Sequence, residues 1–176
     1  MTNITFHGGV QEIGGNKFLV EDKGTKVFMD FGMSFSAENQ YFSEFLKPRG
    51  ANSLTDLIEL GILPRVEGLY RTDYARHMGF GGNEETKISG ILLTHAHLDH
   101  CAYIKYLRPD IPIYCSEESK LIMQNFDETG NGEQYLSMKE KFKFHESEKG
   151  NTKGQMVKDT KDTEIPRQIT VFQSYK

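Results

Sequence analysis

The chain has 176 residues, with 21 Lys and Arg against 25 Asp and Glu and a formal charge of −4. That length predicts one domain, or one and a fraction, and 12 Phe with 8 Tyr exclude a chain disordered throughout. No run approaches ~18 apolar residues, so no transmembrane helix or membrane partner is expected. The N-terminus lacks the basic segment and apolar stretch of a signal peptide. Cys101 and Cys115 alone make no disulfide framework, so a reducing cytoplasm is the expected location. The mild acidity argues against a protein that coats nucleic acid with positive charge, though not against an enzyme with a local basic groove.

The first thirty residues predict an antiparallel meander. Thr2 to Phe6 alternates polar and apolar side chains, as a half-buried strand does. Gly8-Gly9 and Gly14-Gly15 punctuate a loop, Lys17 to Glu21 is a second strand, and Asp22-Lys23-Gly24 is a hairpin turn. Thr25 to Asp30 is the third strand, ending at Asp30-Phe31-Gly32. Residues 33–87 read as a long excursion across one end of the sheet. It holds one helix, capped by Asn52 or Ser53 and stopped at Gly61. Pro64 and the run Gly79 to Asn83 are loop signals.

A βαβα run follows. Ile88 to Leu93 is a near-continuous apolar strand, as in a sheet covered on both faces. His100 to Leu107 is a short helix, and Ile111 to Cys115 is a strand whose Pro112 places it near an edge or at a strand start. Ser116 caps a helix with Glu117 and Glu118 in its first turn, running towards Phe126. From Asp127 to Glu164 only 7 of 38 residues are hydrophobic and 16 are charged, which predicts a loop or solvated hairpin with little core. Gln168 to Phe172 reads as a final strand. The predicted organisation is 1–126 as the main unit, 127–165 as a charged loop or hairpin, and 166–176 as the start of a further strand.

The chemistry concentrates in Thr94-His95-Ala96-His97-Leu98-Asp99-His100. Three imidazoles and a carboxylate fall within six residues, directly after the apolar strand. These are ligand types that Zn²⁺ favours. His95 and His97, two apart in extended backbone, point to one side and can grip one ion. Asp99 and His100 follow the turn and can face a second. Two ions ~3.5–4 Å apart lower the pKa of a shared water and clamp both oxygens of a displacement. A lone histidine after a strand is usually a packed or capping residue. Four ligand-type side chains in six positions are not explained by packing, because His and Asp form strands and helices poorly.

The HxHxDH pattern after a buried strand resembles the second motif of the metallo-β-lactamase superfamily. Asp30-Phe31-Gly32 is similar to its first, an Asp at a strand end. The opening Gly8-Gly9-Val10-Gln11-Glu12-Ile13-Gly14-Gly15-Asn16 resembles the N-terminal loop of its ribonuclease J-like, β-CASP branch. The resemblance covers about 1–32 and 88–126. It implies an α+β fold, the N-terminal portion of an αββα sandwich with a dimetal site at one edge. It further implies His95 and His97 on metal one, and Asp99 and His100 on metal two. Asp30 would hold the ligands from behind, and Asp99 would orient a metal-activated water that attacks phosphorus in an RNA phosphodiester. Zinc is the expected ion, with Mn²⁺ or Fe²⁺ as alternatives.

The superfamily completes its site with a third His, a bridging Asp and a last His on later strands. No clear counterpart is seen here, so the chain is expected to be the N-terminal part of a longer enzyme, or a truncated product with a half-built site. His145, in a charged stretch, and His7 and His77, in a turn and a loop, read as ordinary residues rather than ligands. Gly14, Gly15 and Asn16 are candidate phosphate contacts, against the plainer reading of a turn. Cys101 and Cys115 read as core residues. Arg49, Arg65, Arg71 and Arg76 beside Tyr70 and Tyr74 read as a solvated loop with packed aromatics rather than as RNA contacts. The leading function is hydrolysis of RNA by a longer parent. The alternatives are hydrolysis of a small ester, thioester or lactone on the same fold, or a metal-binding fragment without turnover. A fragment would leave an apolar sheet face exposed, which self-association would cover.

Overall fold

The computed structural model describes residues 1–42, 45–50, 52–79, 85–130, 134–148, 150–158 and 163–172; the side chains at positions 144, 145, 152 and 158 lie outside that set. The meander forms as the alternation dictates, as β1 (Asn3–Phe6), β2 (Phe18–Asp22) and β3 (Thr25–Met29), paired antiparallel in that order. Lys23 and Gly24 both take positive φ, 48° and 87°, in a two-residue loop whose twist matches that of the strands it joins. All four residues of β1 are exposed, not half-buried, because β1 is the outermost strand and pairs only with β2.

The excursion contains three helices, α1 (Phe35–Tyr41), α2 (Ser53–Glu59) and α3 (Thr72–His77). The sequence predicted only α2, which buries Leu54, Leu57 and Ile58 and ends before Gly61 at φ 72°. Asn52 is its N-cap residue but makes no side-chain capping bond. α1 has no buried residue and therefore no apolar stripe to reveal it; Ser34 caps it by accepting from Ala37 N at 3.2 Å. α3 turns Asp73 inward with Tyr74 and Ala75, and a buried acid breaks the apolar period that would mark a helix. Residues 80–83 of the predicted loop lie outside the described residues.

The next run gives β4 (Gly90–Leu92), α4 (Leu98–Cys101), a 3-10 turn at Ile104–Tyr106, β5 (Ile113–Cys115) and α5 (Glu117–Thr129). The helix predicted from His100 to Leu107 is thus two short pieces. Ser116 caps α5, its hydroxyl accepting from Ser119 N at 3.2 Å. The charged stretch builds two small antiparallel pairs. β6 (Ser137–Lys139) joins β9 (Glu164–Pro166), and β7 (Phe144–Glu146) joins β8 (Met156–Lys158). It gives more to the core than its composition suggests, since Tyr135 and Met138 are buried. β10 (Ile169–Val171) then pairs parallel to β5.

The result is an α+β fold around one mixed six-stranded sheet, ordered β1-β2-β3-β4-β5-β10. Strand register lines up Leu19, Phe28, Ile91, Ile113 and Ile169 across one face. There they meet Phe31, Leu54, Leu57, Leu69, Ile104 and Leu107 in the main core. Phe18, Met29, Leu92, Tyr114 and Thr170 share the other face. On it Leu92 and Tyr114 are each 37% exposed. β4 is therefore covered on one face rather than both. Among the described residues no helix is long and apolar enough to cross a membrane.

Candidate metal centre

β3 and β4 are parallel neighbours, so their carboxyl ends share one edge of the sheet. That edge is where open sheets with parallel strands place their ligands. Asp30 leaves β3 there, and the loop from Thr94 to His97 leaves β4. A third segment, Gly14 to Asn16, reaches the same place from the β1–β2 loop. Main-chain hydrogen bonds lace the three together. Asn16 N donates to Asp99 O, Gly32 N to Asn16 O, Phe31 N to His100 O and Met33 N to Leu98 O, at 2.7–3.2 Å. The approach is so close that a Cβ on Gly32 would stand 1.7 Å from Asp99 O, and one on Gly14 would stand 2.8 Å from Asp99 Cβ. Gly14 also sits at φ 81°, a conformation that penalises any side chain. These glycines thus have a packing reason of their own.

The side chains form one network. Asp30, buried and at φ 59°, accepts from Thr94 N at 2.8 Å and from Thr94 Oγ1 at 2.9–3.0 Å. It also faces His100 Nδ1 at 2.7 Å. A carboxylate only accepts, so His100 Nδ1 carries the proton and donates. In the neutral ring Nε2 carries the lone pair and accepts from Asn16 Nδ2 at 3.1 Å. Because the Thr94 hydroxyl gives its proton to Asp30, His95 Nδ1 donates to Thr94 Oγ1 at 3.0 Å, which leaves His95 Nε2 with its lone pair. The His95 ring lies 4.6 Å from His97 and 3.9 Å from His100, centre to centre. Asp99 Oδ2 is 3.3 Å from His100 Nε2. Burial, then the neighbouring His100 and His97, push His95 below its usual pKa and favour the neutral ring that metals bind.

The structure therefore brings His95, His97, Asp99, His100, Asp30 and Asn16 into one cluster. In donor chemistry the cluster fits a divalent cation: neutral imidazoles with Nε2 lone pairs, a carboxylate, and a buried carboxylate fixing a tautomer from behind. Its side chains are not drawn around a single point, and among the described residues no group of three or more His, Cys, Asp or Glu is arranged to hold an ion. The remaining histidines are elsewhere. His77 stacks on Phe142 at 4.0 Å, and His7 is part-buried with its ring 5.6 Å from Phe28. The side chain of His145, in β7, is outside the described residues. Cys101 and Cys115 are buried, and burial, with Asp30 and Asp99, pushes the Cys101 thiol up to about 12. Arg49, Arg65 and Arg71 are paired with Asp56, Glu59 and Asp73.

Two residues of the cluster's frame went unread in the sequence. Thr94 links Asp30 to two imidazoles. Lys17 is 1% exposed, and its ammonium donates to Gly15 O at 2.9 Å and Gly32 O at 3.0 Å, tying the glycine loop to the loop after β3. Burial pulls Lys17 down to about 8, with Glu12 opposing. A lysine in a strand gives no signal of such a role, because its usual place is solvent.

No family model matches the chain. It is 31% identical over 130 residues to ribonuclease J of Helicobacter pylori, a match spanning 72% of this chain and 15% of that protein. It is 26% identical over 123 residues to the transcription termination factor FttA of Methanocaldococcus jannaschii, spanning 68% of this chain and 14% of that protein. The chain thus spans about 15% of the length of the curated relatives it matches. A crystal structure of a protein of unknown function from Enterococcus faecalis aligns with TM-score 0.56 and 32% identity, over 74% of this chain and 28% of that one. By its motifs and these relatives, the chain is similar over about 70% of its length to ribonuclease J and FttA, both members of the β-CASP group of the metallo-β-lactamase family.

Proposed function

We propose that this chain carries the metal-binding N-terminal part of a metal-dependent hydrolase of RNA phosphodiester bonds. The observation that supports it is the network of Asp30, Thr94, His95, His100 and Asn16, which sets the tautomers of two imidazoles at a ligand-bearing sheet edge. The names ribonuclease J and FttA support an RNA substrate. His95 and His97 would hold one ion, and Asp99 and His100 a second, with zinc expected and manganese as an alternative. When bound, such a metal supplies Lewis acidity and an acidified water. The chain's own residues do the positioning. Asp30 holds the proton on His100 Nδ1, Thr94 holds His95, and Asn16 with Gly14 and Gly15 faces the cluster from the side where a phosphate would lie. Asp99 is the catalytic carboxylate of the set, oriented at the start of α4.

The six-stranded sheet would be one half of the αββα sandwich. Its open face, with Leu92 and Tyr114 each 37% exposed, supports that reading and makes self-association the expected state of the isolated chain. A cytoplasmic location belongs to the same proposal. A second reading, metal binding without turnover, draws on the lack of a closed ligand group among the described residues. The test incubates the chain and His97→Ala with zinc or manganese and single-stranded RNA. Cleavage by the first and not the second is expected. Metal retention with intact RNA would favour the second reading, and neither metal nor cleavage would refute both.

A further inference from the structure

The lone pair through which His100 would take an ion is already in use. Asp30 holds the proton on His100 Nδ1, so in the neutral ring Nε2 is an acceptor, and Asn16 Nδ2 donates to it at 3.1 Å. The carboxamide has one orientation there, because its oxygen, turned to the same place, would face a second acceptor. Asp99 Oδ2 also lies 3.3 Å from His100 Nε2. Two acceptors at that separation repel unless a positive group lies beside them. The Asn16 amide is the N–H donor that the described residues bring to this nitrogen.

Main chain and side chain of Asn16 are held differently. The main chain is fixed: N donates to Asp99 O at 3.2 Å, and O accepts from Gly32 N at 3.0 Å. Among the described residues the side chain adds the bond to His100 Nε2 and a longer one, Nδ2 to Asp99 O at 3.4 Å. Its oxygen packs on Gly9, where a Cβ would stand 2.6 Å from Oδ1 and 3.1 Å from the Asn16 Cα. Gly9 sits at φ 78°, so both the turn and the room for the carboxamide depend on glycine. The side chain can therefore turn away from His100 while the loop that carries it stays in place.

We propose that Asn16 is a displaceable cap on His100: its amide occupies the Nε2 lone pair, competes there with a divalent cation, and swings aside when the ion is taken up. The inference rests on the metal-binding reading above and adds a regulation of the same site. A neutral imidazole has one lone-pair nitrogen, and an amide hydrogen and a cation cannot both take it. The net worth of one hydrogen bond is small, so the cap lowers metal affinity without blocking it. Once turned aside, the amide is a free donor beside the cluster. Metal loading and the direction of the Asn16 amide are thus one coupled equilibrium.

The test uses the full chain, isotopically labelled at nitrogen, and two variants without the amide, Asn16→Ala and Asn16→Ser. Asn16 is half-buried and its main-chain bonds remain, so both variants keep the fold. Before zinc is added, magnetic resonance of the wild type should show a nitrogen–nitrogen coupling across the hydrogen bond from Asn16 Nδ2 to His100 Nε2. Saturation with zinc should abolish it and shift the Asn16 side-chain amide, while the main-chain amides of Asn16 and Gly32 stay protected from exchange. Calorimetric titration should find zinc bound roughly 2–10-fold more tightly by both variants, the net worth of one hydrogen bond. Damage to the loop would weaken zinc instead, so tightening separates a cap from a merely structural residue. Equal or weaker zinc binding by the variants, a coupling that survives saturation, or no coupling before zinc overturns the cap. Coupling in the wild type with no zinc bound by any of the three proteins overturns the metal-binding reading, and the displacement with it.

Discussion

Lys17 offers a sharp physical test of how the metal edge is assembled. Its ammonium is enclosed and donates to Gly15 O and Gly32 O, with no carboxylate of the described residues in direct contact. Burial lowers its pKa from 10.5 to about 8. A base whose folded pKa is lowered binds protons more tightly in the unfolded chain. Stability is therefore held down below pH 8 and recovers as pH rises from about 8 to 10.5. The gap of about 2.5, at about 1.4 kcal/mol for each tenfold change in proton affinity, amounts to about 3 kcal/mol. Lys17→Met keeps the stem and removes the titration. It also leaves two carbonyls without their donor, a loss of about 1–3 kcal/mol each. Denaturant unfolding of both proteins from about pH 7 to 10.5 isolates Lys17, because other titrations cancel in the difference. Wild type should gain about 3 kcal/mol on the variant across that range. Parallel profiles would refute the buried ammonium, and a profile of opposite sign would mean that Lys17 is ion-paired instead.

Other outcomes follow from the same packing. Gly32→Ala puts a methyl 1.7 Å from Asp99 O, so the loop bearing Asp99 and His100 must move. Thermal unfolding should show a loss of about 3 kcal/mol, at the upper end for overpacking, and a wild-type melting temperature would refute the contact. Asp30→Ala releases Thr94 and His100, and metal titration should show affinity lower by roughly 10–100-fold. Leu57→Ala empties a fully buried position in the core and should destabilise by about 2–5 kcal/mol in denaturant unfolding, with metal affinity unchanged.

How much of this was legible depended on whether the signal was local. The meander was readable because alternation and the Lys23-Gly24 turn are short-range. The cap at Ser116 was readable for the same reason. α1 was not, because a helix with no buried residue has no apolar period to read. Tyr135 and Met138 were misjudged because composition averaged over a charged stretch hides two residues that the fold turns inward. At the site, His95, His97, Asp99 and His100 stood out as ligand types crowded into one turn. Asp30 became meaningful only through its resemblance to a known motif. Thr94 and Lys17 were invisible, since their roles exist only once β3 and β4 lie side by side.

The edge formed by β3 and β4 is proposed to hold metal through this cluster. Elemental analysis of metal per chain, after gentle purification, tests it most directly on the full chain and on His97→Ala. Stoichiometric divalent metal is expected in the first and a large loss in the second. Negligible metal in the wild-type chain after incubation with zinc or manganese, or equal metal in both proteins, would contradict it.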